Sequence, residues 1–362
     1  LHGAWKDVLS GAADLSLAIG VEKTFVPDDP ARTQAIFDGG IDRLDPDEWM
    51  AYYAAAGEQA GKPFNPKDGG GTLFMDTYAM QAAWHIRHHG TTPAQIAAGA
   101  SKNHAMGAKN PLAQYRFEVS PEQVLADRMV SWPLTRSMCA PIGDGAAAAL
   151  VCSAAFLQTL PAEVRERAVR IRAATLSGGK YRRLDEPGLS HVAAQRAYAM
   201  AGLTPQDIDV AEVHDATSFC EIYQAEMMGF CPIGQGGAYV ATAVLKKSIH
   251  STRPDGSDNE SFPSGHTAVA FSAVRYMDKR YGTELAPYTP WLYAAAGMTG
   301  VARVQANKHH WQDVVAGAAL GFGTAHYLTE PVKGGQLSLL PTSGGMAVTC
   351  KTGARNCTCT RA

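Results

Sequence analysis

The apolar residues in the first part of the chain fall into short runs that alternate with longer helical patterns. Residues 15–21 form a continuous apolar run, which is typical of a buried strand. Shorter runs predict further strands at residues 146–151, 169–173 and 210–213, and residues 191–201 have the spacing of a helix. This mixture of patterns predicts an α/β fold.

Four positions in this part carry the signature of a helix start. At each one, a residue whose side chain can cap a helix precedes a proline, and an acidic residue or glutamine follows two places later. The four are Asp45-Pro46 with Glu48, Thr92-Pro93 with Gln95, Ser120-Pro121 with Gln123, and Thr204-Pro205 with Asp207. The polar, glycine-rich interval at about residues 28–130 is expected to form an inserted loop domain.

A glycine-rich break at residues 235–237 separates this region, residues 1–237, from helical patterns at residues 238–330. The most apolar of these patterns, at residues 291–301 and 314–328, are shorter than the roughly 20 residues that span a bilayer. We therefore expect an all-α helical bundle without a transmembrane helix, and peripheral contact with a membrane is left open. The first residues of the chain form an amphipathic pattern, and no signal peptide is visible.

Residues 331–362 are rich in Gly, Ser and Thr and contain basic residues but no acidic one. We expect a mostly flexible tail, in which residues 337–340 and 346–349 can form short edge strands. The sequence Cys357-Thr358-Cys359 lacks the spacing and the second pair of a zinc knuckle.

Composition narrows the class of protein. The chain has 362 residues, of which 46% are hydrophobic and 18% charged, as expected of a folded protein. A net charge of −2 gives no bulk attraction to nucleic acid. The seven cysteines are too irregularly spaced for a disulfide framework. Cys139, Cys220 and Cys231 lack a basic neighbour in sequence that would lower the thiol pKa, so none is expected to act as a nucleophile.

Three short segments between residues 246 and 313 contain the residue types that phosphoryl transfer requires. A phosphoryl group needs fixed cations around its oxygens, a nucleophile on one side and a proton donor on the other. Arginine forks match phosphate oxygens in pairs, and backbone amides at a helix start add to them. The segments are Lys246 with Arg253; Ser264, Gly265 and His266; and Arg303 with His309 and Asp313.

The spacing of His309 and Asp313 points to a particular arrangement. On a helix, side chains four residues apart share a face, so the carboxylate can orient the imidazole and stabilise its charged form. His310 would point about 100° away and serves as a control. Each histidine taken alone is more often structural than catalytic. A zinc site made of His266, His309 and Asp313 is an alternative that the surrounding basic residues oppose.

Through these three segments, residues 238–330 resemble the type 2 phosphatidic acid phosphatase superfamily, which shares its site with vanadium haloperoxidases. The resemblance implies that His309 attacks phosphorus, that Asp313 orients it and that His266 protonates the leaving oxygen. It also implies that the phosphate is held by Lys246, Arg253, Ser264, Gly265 and Arg303. The family usually has serine before the last arginine, where this chain has Ala302, and we expect the loss of one hydrogen bond there.

Residues 1–237 resemble an incomplete member of the thiolase superfamily, of the sterol-carrier-protein type. The segments that carry this resemblance are residues 10–14, 20–23, 103–104, 109–111, 143–148 and 212–216. It implies that His214 polarises a thioester carbonyl within an oxyanion hole. The nucleophilic cysteine of the family, and its Gly-His-Pro and Cys-x-Gly segments, have no counterpart here, so we expect no thiolase activity.

These features predict an incomplete thiolase-like α/β region followed by an all-α phosphatase-like region that holds the complete site. The expected activity is metal-independent phosphomonoester hydrolysis of the acid-phosphatase or lipid-phosphatase type, through a phosphohistidine and without a required cofactor. The expected ligand is a phosphorylated small molecule or lipid. The alternatives are an acyl-CoA-binding or acyltransferase protein and a haloperoxidase that holds vanadate in place of phosphate. A cytoplasmic or periplasmic location and a homo-oligomer are left open.

Overall fold

The computed structural model describes residues 1–40, 45–65, 73–179, 181–248, 251–259, 261–328, 335–342, 345–352 and 355–359. Side chains are described over the same residues except 38, 243–248, 280, 283–284, 324, 327–328 and those from 335 onward.

Helices make up most of the described chain. They are α1 (His2–Leu9), α2 (Pro30–Asp38), α3 (Pro46–Ala60), α4 (Leu73–His89), α5 (Pro93–Lys109), α6 (Pro121–Ala126), α7 (Ala154–Gln158), α8 (Ala162–Glu166), α9 (Leu189–Ala201), α10 (Ser218–Met227), α11 (Gly236–Ser248), α12 (Gly265–Leu285), α13 (Thr289–Gln305) and α14 (Trp311–Leu328). The strands are β1 (Leu15–Glu22), β2 (Met129–Ser131), β3 (Leu134–Thr135), β4 (Gly145–Cys152), β5 (Gly335–Thr342), β6 (Gly345–Thr352) and β7 (Arg355–Cys359). None of the helices searched, which are those of the described residues, combines the length and the apolar character needed to cross a membrane.

Three of the four predicted helix starts are confirmed. The carboxylate of Asp45 accepts a hydrogen bond from the backbone N–H of Glu48 at the start of α3. Thr92 and Ser120 each form a complete capping box with the glutamine three residues later. Thr204 also has a capping box, but it begins only a short 3-10 turn. The cap therefore decides where a helix begins, whereas its length depends on what the following residues pack against.

Two predicted strands are wrong. Residues 169–173 and 210–213 have no regular secondary structure, and Val169 and Val210 are 89% and 81% exposed. A strand needs a hydrogen-bonded neighbour, and in the described part of the chain β1 and β4 pair only with each other. The interval 28–130, expected to be a loop domain, is mostly helical, because the helices from α2 to α6 occupy it.

The strands predicted at residues 15–21 and 146–151 are confirmed as β1 and β4. They pair antiparallel, with Leu15 opposite Cys152 and Glu22 opposite Gly145. The expectation that β1 is buried is wrong, since Val21 is 72% exposed and Leu150 of β4 is 70% exposed. The apolar side chains of a two-stranded sheet stay exposed unless another element covers the sheet. Helix α1 packs on β1 and β4 and covers only part of this sheet.

The main core of the first region is helical and includes α11. Its buried residues are Ala79, Ala82, Ile96, Ala97, Ala100, Val124, Leu134, Met138, Phe219, Ile222 and Val240. Val240 lies on α11, which packs on α5 and α10 as well as on α12 and α14. The thiolase-like region therefore provides packing surface for the first helix of the phosphatase-like region.

Helices α12, α13 and α14 pack closely because glycines face their neighbours. A Cβ atom added to Gly317 of α14 would overlap the carbonyl oxygen of Ser264, and one added to Gly321 would overlap that of Ala268. On α13, a Cβ atom at Gly300 would lie 2.5 Å from a methyl carbon of Val314. These close approaches bring the ends of α12, α13 and α14 together around the candidate site.

Residues 335–359 contain an antiparallel sheet in the order β5, β6, β7. Leu337 of β5 lies opposite Cys350 of β6, and Cys350 lies opposite Cys357 of β7. The two edge strands predicted in this part are therefore longer than expected, and a third strand accompanies them.

Candidate active site

The candidate site is built on a hairpin-like loop that precedes α12. The backbone N–H of Ser261 donates to the carbonyl oxygen of Ser251 at 2.8 Å, and that of Ser251 donates to the carbonyl oxygen of Asn259 at 3.1 Å. Within the loop, the N–H of Arg253 donates to the carbonyl oxygen of Asp258 at 2.9 Å. These bonds hold the backbone on both sides of Arg253 and so fix the point from which its side chain extends.

His309 is buried, with 2% of its surface exposed, and lies just before α14. Its Nδ1 is 2.7 Å from the carbonyl oxygen of Ser261. Because a carbonyl oxygen can only accept, Nδ1 carries the proton in this contact, and in the neutral ring Nε2 has the lone pair. Nε2 lies 3.5 Å from Nη1 of Arg253. The nitrogen with the lone pair thus faces the guanidinium of Arg253.

The predicted role of Asp313 needs correction in its geometry. His309 precedes α14, so the two residues do not share a helical face, and Oδ2 of Asp313 is 3.9 Å from Nδ1 of His309. The same oxygen accepts a short hydrogen bond from the hydroxyl of Ser261 and a 2.7 Å bond from the backbone N–H of His310. Asp313 therefore holds Ser261, and the carbonyl of Ser261 orients His309.

Arg303 lies in the last turn of α13. Burial and the neighbouring charge of Arg253 lower the pKa of its guanidinium group. Its Nε is buried and has no hydrogen-bond partner among the residues that the structure describes. A buried N–H donor without an acceptor is costly, and in native proteins it usually indicates a missing partner such as an ion or a water molecule. The position therefore suits an anion.

Two acidic side chains of the loop form ion pairs at the site. The Nε of Arg253 donates to Asp258, whose carboxylate oxygens lie at 2.7 and 2.8 Å. The Nζ of Lys308 lies 2.6 Å from Oδ2 of Asp255. The hydrogen bond from Lys308, with those from Ser257, holds the pKa of the Asp255 carboxyl well below its usual range. The loop thus carries negative as well as positive charge.

The Ser264-Gly265-His266 segment lies at the start of α12. Helix α12 begins at Gly265, and Ser264 is its N-cap. The buried hydroxyl of Ser264 is 2.9 Å from that of Thr267, and the N–H of Ser264 donates to the carbonyl oxygen of Asp313 at 2.9 Å. The N–H and the hydroxyl of Ser264 thus each lie against a protein oxygen. The predicted phosphate contact of Ser264 stays a prediction. His266 is exposed in the first turn of the helix.

The structure brings three of the predicted residues together. Arg253 contacts His309 and lies within electrostatic reach of Arg303. Lys246 lies on α11, but its side chain falls outside the described residues. Among the described side chains, no three His, Cys, Asp or Glu residues are grouped so as to hold a metal ion.

Sequence reasoning missed Ser261 and Asp258. Ser261 acts partly through its backbone carbonyl, which no residue type predicts, and its hydroxyl partner lies 52 residues away. Asp258 left a weak signal, because it follows Arg253 by five residues across a turn that contains glycine. A carboxylate at that spacing can reach back to the arginine.

In the first region, His214 lies next to a residue that lines a cavity. His214 is exposed, and its Nε2 is 3.5 Å from the hydroxyl of Tyr78. Nearby, Nδ2 of Asn103 donates to Oδ2 of Asp215 at 3.3 Å. Asn103 and Asp215 help to line a cavity of about 280 Å³ together with His104, Cys139 and Ser218. The predicted oxyanion role of His214 stays a prediction.

Cys220 and Cys231 are buried and Cys139 is partly buried. Burial, with a smaller effect of Cys220, raises the pKa of the Cys139 thiol to about 12. Burial also raises the pKa of the Cys220 and Cys231 thiols. Because the thiolate is the reactive form, none of these three is activated as a nucleophile.

Two protein-family models match the chain. The thiolase C-terminal domain-like family matches residues 188–252, and the PAP2 superfamily matches residues 230–332. The two matches overlap at residues 230–252, the part that contains α11. The family models thus meet at the helix that packs on both regions.

Curated proteins with similar sequences include an acetyltransferase and a sterol carrier protein. An acetyl-CoA acetyltransferase of Methanothermobacter thermautotrophicus is 34% identical over 64% of this chain and 54% of its own length. Sterol carrier protein 2 of Bos taurus is 37% identical over 43% of this chain and 30% of its own length. The chain spans about half the length of the acetyltransferase.

Among solved structures, the Ltp2-ChsH2(DUF35) aldolase superposes with a TM-score of 0.49 and 19% identity, over 68% of this chain and 59% of that chain. The family models match both resemblances, and the PAP2 match contains the three phosphatase-like segments. The chain joins a thiolase-like α/β region, which ends in a thiolase C-terminal-like segment at residues 188–252, to a helical segment at residues 230–332 that matches the PAP2 superfamily.

Proposed function

We propose that this chain is a phosphomonoester hydrolase that forms a phosphohistidine at His309. The observation that carries the proposal is the geometry of that residue. Its Nδ1 is held by the Ser261 carbonyl at 2.7 Å, and its Nε2 lies 3.5 Å from Nη1 of Arg253. A phosphoryl group placed between Nε2 and the two arginines would meet a nucleophile and its stabilising charges at the same point.

Two displacements complete the proposed reaction. In the first, Nε2 of His309 forms a bond to phosphorus while the bond to the leaving alcohol breaks, and His266 gives that oxygen a proton. In the second, water attacks the phosphohistidine, the P–N bond breaks, and His266 takes the proton of the water. The Ser261 carbonyl stabilises the charged imidazole through Nδ1–H throughout. The proton balance closes, because His266 ends in its starting form.

The proposed ligand is a phosphorylated small molecule or a lipid phosphate. Both types fit, because the cationic side chains recognise the phosphoryl group and not the alcohol to which it is attached. Vanadate, which is a tetrahedral oxyanion like phosphate, should occupy the same place. Oxidation of halide by peroxide in the presence of vanadate would favour the haloperoxidase alternative. The match to the PAP2 superfamily supports both activities.

Arg253→Lys should weaken the binding of vanadate and of inorganic phosphate about tenfold. Lysine keeps the charge but loses the planar fork that can contact His309 and an anion together. Binding can be measured by isothermal titration calorimetry. Arg136→Lys is a matched control, because Arg136 also pairs with a carboxylate, that of Asp127 at 3.0 Å, but lies in the first region. Equal vanadate affinity in wild type and Arg253→Lys would remove Arg253 from the site.

The cavity in the first region supports a second candidate function, the binding of an acyl-CoA. It has a volume of about 280 Å³, and apolar side chains line it together with Asn103, His104 and Ser218. The Nδ1 of His104 and the hydroxyl of Ser218 are buried without a hydrogen-bond partner among the described residues. An apolar space with a few unsatisfied polar groups suits an acyl group that ends in a carbonyl.

Acetyl-CoA should therefore raise the melting temperature of the wild-type protein, and Ala113→Trp should remove that rise by filling the cavity. Ala113 lines the cavity, whereas its neighbour Leu112 is 91% exposed and does not, so Leu112→Trp is the control. A thermal-shift assay measures both. No stabilisation of the wild-type protein at millimolar acetyl-CoA would exclude this function.

A further inference from the structure

An internal carboxylate already occupies part of the anion site. Asp258 places its two carboxylate oxygens 2.7 and 2.8 Å from Nε of Arg253. The Arg253 side chain is 15% exposed, while that of Asp258 is 44% exposed. The charge that would bind phosphate is thus inside the protein, and the group that neutralises it is at the surface.

The loop allows Asp258 to leave without moving Arg253. The Nη1 of Arg253 donates to the carbonyl oxygen of Lys308 at 3.0 Å, and its backbone N–H donates to the carbonyl oxygen of Asp258 at 2.9 Å. Neither bond uses the carboxylate. Rotation of the Asp258 side chain toward water would therefore uncover Nε while the guanidinium stays beside His309.

The charges of the site explain why a carboxylate is held there. Arg253 and Arg303 are close enough for their like charges to interact, and Nε of Arg303 has no acceptor among the described residues. Asp258 offsets one of these charges when no ligand is present. A phosphate dianion carries more charge and more acceptor oxygens than a carboxylate, so it can contact both arginines and displace Asp258.

We propose that Asp258 is an internal competitor for the anion site, which phosphate must displace in order to reach Arg253 and His309. This inference rests on the proposed function and adds a means of regulation to it. The expected consequence of this competition is selectivity between anions of different charge. Anions with a single charge, such as nitrate, gain too little from the arginines to displace the carboxylate, whereas a phosphate dianion gains enough.

The test is calorimetric binding of inorganic phosphate and of nitrate to the full chain. Asp258→Asn should bind phosphate about five-fold more tightly than wild type, which corresponds to ~1 kcal/mol for a partly exposed ion pair. Nitrate should gain at least as much. Asp258→Ala should behave in the same way, which guards against a new hydrogen bond from asparagine. Asp127→Asn is the matched control, because Asp127 also pairs with an arginine, Arg136 at 3.0 Å, but lies in the first region, and it should leave phosphate affinity unchanged.

The binding results distinguish a failure of the Asp258 inference from a failure of the proposed function. If wild type binds phosphate and both Asp258 variants bind it equally or more weakly, Asp258 positions Arg253 and the inference is wrong, while the anion site stands. If neither wild type nor any variant binds phosphate, both the anion site and the competitor are excluded. Tighter binding in the Asp258 variants alone supports the inference.

Discussion

Replacing His309 with alanine should lower phosphatase turnover by roughly four to six orders of magnitude, because the variant loses the only proposed nucleophile. Phosphate binding should change far less, since Arg253 is held by the Lys308 carbonyl and by its own loop. Steady-state hydrolysis of p-nitrophenyl phosphate measures the turnover, and calorimetry measures the affinity for phosphate. Loss of turnover with retained binding separates a catalytic defect from a collapsed site.

His310→Ala is the matched control for this prediction. The side chain of His310 is 47% exposed, and its Nδ1 lies 3.3 Å from Oδ2 of Asp313. The stronger contact to that oxygen comes from the backbone N–H at 2.7 Å, which alanine keeps. Turnover should therefore fall less than about tenfold, as expected when one partly exposed contact is lost. Equal losses in the two variants would place the role of His309 in folding rather than in chemistry.

How far the sequence predicted the structure depended on whether the deciding interaction was local. The helix starts at Asp45, Thr92 and Ser120 follow from contacts within four residues, and they were predicted correctly. The strands expected at residues 169–173 and 210–213 depended on distant partners that the sequence does not specify, and they are absent from the described chain.

In the candidate site, too, residue types could be predicted from the sequence, whereas an orientation set by a distant contact could not. The identities of Arg253, Arg303 and His309 were predicted from motif spacing, and the structure places Arg253 next to the other two. The orientation of the His309 ring was not predicted, because the backbone carbonyl of Ser261 determines it. A side-chain pattern cannot reveal a backbone acceptor. The spacing to Asp313 predicted two residues on one helix, whereas His309 precedes α14 and its Nδ1 lies 3.9 Å from Oδ2 of Asp313.

The second large effect is expected at Gly321, where α14 crosses α12. Gly321→Ala should lower the free energy of unfolding by roughly 1–3 kcal/mol, because the new Cβ would overlap the carbonyl oxygen of Ala268 and the two helices would have to separate. The better helix propensity of alanine, about 1 kcal/mol, works against this loss but does not remove a backbone overlap. Urea denaturation followed by circular dichroism measures the change.

Gly323→Ala provides the control two residues later on the same helix. A Cβ atom added to Gly323 would have no atom of another described element within 4 Å, so only the difference in helix propensity applies. This variant should gain about 0.5–1 kcal/mol. If Gly321→Ala is as stable as Gly323→Ala, then α12 and α14 do not approach each other as closely as described, and the arrangement of Ser264 and Asp313 at their ends loses its support.

The position of the covalent phosphoryl group tests the proposed mechanism most directly. The wild-type protein, mixed with p-nitrophenyl phosphate and quenched in base to preserve an acid-labile phosphohistidine, should give a labelled peptide that contains residues 309–313. Fragmentation mass spectrometry should place the label on His309, and His266→Ala should keep this label while it loses turnover of alkyl phosphates. A label on His266 or His310, or full activity in His309→Ala, would contradict the mechanism and leave this part of the chain as an anion-binding surface.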